Sequence, residues 1–167
     1  MDSARLVYSW VQRTRQPLFR HLETLSREVY TQPTEVLAGE SIRDRHVHIA
    51  QCYQAWIGQI GLGEPDLNAK EAPDAYPDLA AVRTLFQDID ALVERFMYVA
   101  GEHVNEPMSR TFHGKRILVT PRWLIAHPVT HEFHHKGQIV VALRLLGHPM
   151  TEDSDLALPL PLDGDPS

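Results

Sequence analysis

The chain has one cysteine, Cys52, in 167 residues, so it can form no internal disulfide. Nothing near Met1 pairs a charged start with an apolar run, so no secretory signal is expected, and with the lone thiol this implies a reducing, cytoplasmic setting. No apolar run approaches the roughly 20 residues that cross a bilayer, which removes the membrane as a destination. Basic residues are few and scattered, and the formal charge of −6 lacks the clustered positive face that a nucleic-acid partner requires. Repeats, low-complexity tracts and composition shifts are missing too, so residues 1–167 read as one domain with 148–167 as an extended tail. What the sequence has in excess is histidine. Ten are present, and four fall between His127 and His135.

Four segments carry helical periodicity. The first runs from about Ser3 to Tyr30, with Leu6, Trp10, Leu18, Leu22 and Leu25 on one face and a kink expected at Pro17. A second starts at Ser41, a capping residue with Asp44 three positions on, and runs to about Ile60 with Ile42, Ile49, Cys52, Trp56 and Ile60 at helical spacing. Gly61-Leu62-Gly63 and Pro65 stop it, leaving a loop over 61–76. The third begins near Pro77 and carries Leu79, Val82, Leu85, Phe86, Ile89, Leu92 and Phe96 on one stripe. Between Gly101 and Thr120 the pattern lapses into a crossing loop, in which only 117–119 suits extended chain. The fourth helix is capped by Thr120, opens with Pro121 and ends at Gly147, and Pro128 predicts a bend or a broken turn within it. The expected fold class is all-α, a four-helix bundle. The Leu-Pro-Leu-Pro-Leu stretch of the tail suits neither helix nor ordinary strand.

Residues four apart on a helix stand one turn above the other, so His131 and His135 can offer two imidazole nitrogens to one ion. The same spacing also suits a solvated or hydrogen-bonded face. His127 shares that face but lies about 12 Å along the axis from His135, too far for one ion to bridge. His134 points about 100° away. For a third ligand the second helix offers His46 and His48, about 200° apart. Measured from Ile49, His46 lies about 60° from the apolar stripe and His48 about 100°, so the count mildly favours His46. Residues His131 to His135 also satisfy H-E-x-x-H, in which Glu132 would be the general base of a zinc peptidase. The longer form of that motif requires glycine and histidine where this chain has Gln138 and Val141. The form completed by a later glutamate finds only Glu152, in the proline-bearing tail.

The run His131-Glu132-Phe133-His134-His135-Lys136-Gly137-Gln138 resembles the last helix of the DinB/YfiT-type metalloenzymes, H-x-x-x-H-[KR]-G-Q. Ser41-Ile42-Arg43-Asp44, then Val47-His48-Ile49-Ala50 and Trp56, resembles that family's second helix, and Leu145-Leu146-Gly147 agrees with its end. The resemblance implies His48 rather than His46 as the first ligand of a site completed by His131 and His135. It further implies an up-down-down-up bundle, a homodimer, and one zinc or nickel ion. Family activities include transferases and isomerases using a low-molecular-weight thiol such as bacillithiol or mycothiol, and hydrolase-like members. A divalent ion with three imidazoles and open positions can activate a thiol or a water as nucleophile, so transfer to a small electrophilic substrate is the expected reaction. A non-catalytic metal-binding or dimeric structural module is the alternative from a different class.

Around that set, Glu132 is expected to make a salt bridge rather than touch the ion, and Gln138, one turn beyond His135, to hydrogen-bond into the pocket. Gly137 would let another helix approach closely. Trp56 and Trp123 could wall the pocket, though the core suits an aromatic at helical spacing better, and Cys52 could be a soft fourth ligand but reads better as a buried, inert thiol.

Overall fold

The computed structural model describes residues 2–65, 72–152 and 154–155. The proline-rich end of the tail lies outside the described residues. Within them the protein is mostly helical with one small hairpin, and no helix is long and apolar enough to cross a membrane.

Helix α1 spans Asp2–Glu23 and runs unbroken through Pro17. Its buried face is Tyr8, Val11, Arg15, Leu18, Phe19 and Leu22, whereas Leu6 is 51% exposed, which corrects the stripe expected there. The first segment also does not continue to Tyr30. The Thr24 hydroxyl donates to the His21 carbonyl at 2.7 Å, competing for a last-turn acceptor, and Ser26 caps a separate short helix, α2, Arg27–Thr31.

Helix α3, Ile42–Tyr53, begins in a reciprocal capping box. The Asp44 N–H donates to the Ser41 hydroxyl at 3.1 Å, and the Ser41 N–H donates to the Asp44 carboxylate at 2.9 Å. Burial pushes the Asp44 pKa up, but hydrogen bonds from Ser41 and Arg43 outweigh it and hold the carboxyl below its ordinary range. A depressed folded pKa contributes stability above the unfolded value of about 4 and loses it as the pH falls through the folded value. Asp44→Ala is therefore expected to cost about 1 kcal/mol near pH 7, measured by urea unfolding, with the difference from the parent shrinking in acid.

Beyond Tyr53 the helix widens into a π-helical segment, Gln54–Leu62, which ends at Gly63 with φ 76°. Gly61 is required here, because a Cβ on it would lie 2.7 Å from the Phe96 ring. The expected loop thus starts two residues later than the glycine pattern suggested. Helix α4, Leu79–Ala100, is capped by Asp78, so Pro77 precedes the helix instead of opening it. Its stripe is buried as expected from Val82 to Phe96, joined by Val93 and Met97.

The crossing loop contains a β-hairpin. Strands β1, Met108–Phe112, and β2, Lys115–Val119, pair antiparallel from Met108 opposite Val119 to Phe112 opposite Lys115. The turn residues His113 and Gly114 both have positive φ, 47° and 74°, the conformation that matches the twist of two-residue hairpins. Helix α5, Pro121–Leu145, is capped by Thr120 and runs unbroken through Pro128, so no broken turn separates His127 from His131.

Side-chain pairs fix the helix directions. Arg5 meets Glu94 and Tyr8 meets Asp90, while Glu23 at the other end of α1 pairs with Arg83, so α1 and α4 run antiparallel. Arg15 meets Glu132 midway along α5 and His21 meets the His148 carbonyl just past its end, so α1 and α5 run in the same direction. Helix α3 opposes α5, with His48 beside His135 near one end of the seam and Trp56 beside Trp123 near the other.

Candidate metal centre

The capping box fixes where α3 starts, and His48 stands one turn beyond Asp44 on its exposed side. On α5, His131 and His135 project toward it one turn apart. Ring centroids lie 4.9 Å from His48 to His131, 4.8 Å from His48 to His135 and 4.3 Å from His131 to His135. One nitrogen from each ring lies within 4.8 Å of the others. The two Nε2 atoms of His131 and His135 are 3.1 Å apart. Two nitrogens bound tetrahedrally at 2.0–2.1 Å from one zinc would be about 3.3–3.4 Å apart, so this pair already has the required spacing. Bringing His48 to the same separation needs a side-chain movement of about 1.5 Å or less.

The donor set also fits a borderline metal. Three imidazoles with no carboxylate suit zinc or nickel, whereas magnesium and calcium take oxygen ligands. Both α5 rings are held toward the neutral form. Burial, then the neighbouring His135 and His48, push the His131 pKa down to about 4. Burial likewise lowers His135, against a raising hydrogen bond from Gln138. His135 is oriented by that bond, since its Nδ1–H donates to the Gln138 amide oxygen at 2.7 Å and leaves Nε2 with a lone pair facing the other histidines. Arg45 Nη1 approaches the same Nδ1 at 3.5 Å, but the shorter amide contact decides the tautomer.

The sequence profile of the DinB family matches residues 1–157. The chain belongs to the DinB family. No curated protein matches it.

In this DinB protein the choice between His46 and His48 has a plain geometric outcome. His46 is the one that faces the core, as the angular count favoured. It is 2% exposed, its Nδ1–H donates to the Ile42 carbonyl at 3.0 Å, and Phe19, Tyr30 and Phe86 surround it. His48, at the edge of the stripe, is the one that meets the α5 pair. His46 is enclosed by Phe19, Tyr30 and Phe86 and is not among the three converging rings, whereas His48 is exposed beside His131 and the buried His135.

His127 stays outside the triad. It stacks on Trp123 with an interplanar angle of 13° and packs against Trp56, with ring centres 4.8 Å apart. His134 is exposed and accepts from the Gln138 amide at 3.1 Å, so Gln138 bridges two histidines. Cys52 is half-buried, burial pushes its thiol up to about 12, and it is not among the three converging groups. The close helix approach expected at Gly137 is not found among the described residues, as a Cβ there would face open space. Trp56 is half-buried against the core and Trp123 is 43% exposed, so neither is sealed inside the core.

Glu132 turns away from the centre. Arg15 Nε and Nη2 donate to its two oxygens at 2.8 and 3.1 Å, and the Tyr53 hydroxyl donates at 2.8 Å. Arg15 also reaches Asp90 at 2.9 Å, and Asp90 accepts from Tyr8. The carboxylate is buried and fully engaged, which leaves the H-E-x-x-H pattern without its general base. Arg15, Tyr53 and Asp90 were not singled out in the sequence. The available signal was Arg15 itself, a charged residue in the run from Val11 to Leu18 on the buried side of α1.

Proposed function

We propose that this chain is a metal-dependent DinB enzyme in which His48, His131 and His135 hold one divalent ion, zinc or nickel, and a thiol or water nucleophile attacks a small electrophile there. The observation that carries the reading is the convergence of three imidazoles from two helices with His48 open to solvent. An ion so held keeps open positions and lowers the pKa of a thiol or water to near neutrality. The four long helices are read as an up-down-down-up bundle, supported by α1 running with α5 and against α4, and by α3 opposing α5.

Each residue then has a defined task. His135 is kept in the tautomer with a free Nε2 by Gln138. His131 is kept unprotonated by its buried surroundings and its histidine neighbours. Glu132 ties α5 to α1 and α3 behind the ligands. Gln138→Leu is expected to weaken metal affinity by about 10–100-fold without changing the fold, measured by competition with a chromophoric chelator.

The deciding experiment assays the metal-loaded protein with a nitroaryl halide in the presence of several cellular thiols. Thiol-dependent release of halide, lost on chelation and in His48→Ala, supports a transferase. Consumption of an ester or amide without thiol supports a hydrolase. Full metal loading with no turnover of either kind favours the non-catalytic module.

A further inference from the structure

We propose that Trp56, Phe112 and Trp123 form a subsite for a planar aromatic group carried by the electrophile that reacts at the three-histidine centre. The inference rests on the metalloenzyme reading above and adds a substrate class to it.

Three segments of the chain bring these rings together. Trp56 lies 4.7 Å from Phe112 of the hairpin and 5.0 Å from Trp123 of α5, centre to centre. His127 bridges the group to the centre, packing on both tryptophans and lying 6.2 Å from His131. The α3/α5 seam therefore continues from the imidazoles into aromatic surface.

Two observations point to a ligand instead of mere anchoring of the hairpin. The rings at the centre of the core are sealed, with Tyr8 and Tyr53 at 1% and Phe86 and Phe96 at 2% exposure, whereas Trp56 and Phe112 rest against the edge of that core. In contrast Trp56, Phe112 and His127 are half-buried and Trp123 is exposed, so four neighbouring rings beside the candidate centre remain partly wet. Trp56 also sits in the nine-residue π-helical segment. Such segments are rare and occur frequently at functional sites. This one is held in place from outside, because Gly61 admits the Phe96 ring and Arg110 of β1 donates to the Ile60 carbonyl at 2.8 Å. The widened turn and the hairpin that braces it thus present Trp56 to the seam. His127 covers one face of Trp123, and the exposure left on Trp123, Trp56 and Phe112 offers a flat aromatic guest ring contacts that a saturated one of the same size lacks.

The test follows the indole N–H signals of the three tryptophans by NMR while the metal-loaded protein is titrated with 2-naphthylmethanol or its fully saturated analogue. Trp10, on α1, is the internal control. The expected result is saturable shifts at Trp56 and Trp123 but not Trp10, with the naphthyl probe bound about tenfold more tightly than the saturated one. Trp56→Leu and Trp123→Leu should each weaken it about tenfold, while Trp56→Phe, which keeps a ring, stays near the parent. With cobalt(II) as the ion, the bound probe's resonances should broaden. His48→Ala should lose metal and keep the probe, so failure of the metal reading and failure of the subsite give different results. Equal shifts at all three tryptophans, equal affinity for the two probes, or unchanged binding in both leucine variants would overturn the proposal. So would a Trp123→Leu variant that only converts an assembled form to single chains, which would assign the face to a second copy.

Discussion

Alanine at any one of His48, His131 or His135 is expected to weaken metal binding by at least about 100-fold, enough to leave dialysed protein essentially metal-free where the parent keeps about one ion per chain. The magnitude follows from comparison with outer contacts. Removing a hydrogen bond to a ligand typically costs 10–100-fold, so removing the ligand itself costs more. The informative controls are His127→Ala and His134→Ala. His127 precedes His131 by the same four residues that separate His131 from His135, so spacing alone would make it an equal candidate. In the structure its ring is stacked on Trp123 and lies outside the triad, and His134 is exposed on another face. Both controls should therefore retain metal, as read by elemental analysis after dialysis. Loss of metal in His127→Ala with retention in His48→Ala would reverse the assignment.

The second large effect concerns stability. Arg15→Ala leaves the Glu132 carboxylate buried with only Tyr53 as donor, and breaking a buried pair of this kind typically costs about 3–5 kcal/mol. Replacing both partners by apolar residues of similar size, Arg15→Met with Glu132→Leu, should recover most of that loss, since no fully buried charge is then stranded and Asp90, partly exposed, keeps its bond from Tyr8. Urea unfolding of the single and double variants measures the difference. The same experiment bears on the peptidase pattern. A catalytic base at Glu132 would make Glu132→Gln inactive and normally stable, whereas a buried structural pair makes it unstable first.

Much of the fold was legible because burial imposes a period. The α4 stripe from Val82 to Phe96, the Ser41 cap and the Thr120-Pro121 opening of α5 stand where the pattern put them. The failures have separate physical causes. Leu6 was assigned to the buried face because apolar residues were counted and Arg15 was not, although Arg15 is the residue around which that face packs. The hairpin was missed because its turn is His113-Gly114 rather than an asparagine or aspartate pair, and because Met108 to Phe112 alternates only weakly. The widening after Tyr53 has no signature in hydrophobic spacing, since hydrogen bonds reaching one residue further along the chain leave the apolar residues still on the buried side, with Gly61 against Phe96.

The candidate centre was legible only in part. Helical spacing gave the His131 and His135 pair, but the third ligand could not come from amphipathicity, which selects the core-facing His46. Resemblance to the DinB family supplied His48, and the geometry brings that ring within reach of the pair. The structural reading of Glu132 also held, with partners that no spacing rule would have named.

X-ray absorption at the metal edge of the zinc-loaded or nickel-loaded protein tests the central claim most directly. The account predicts imidazole scattering from three nitrogen neighbours, at about 2.0–2.1 Å for zinc, with the remaining positions filled by light atoms and one imidazole fewer in any residual metal bound by His48→Ala. A sulfur neighbour at about 2.3 Å, or a spectrum unchanged by His48→Ala, would contradict it.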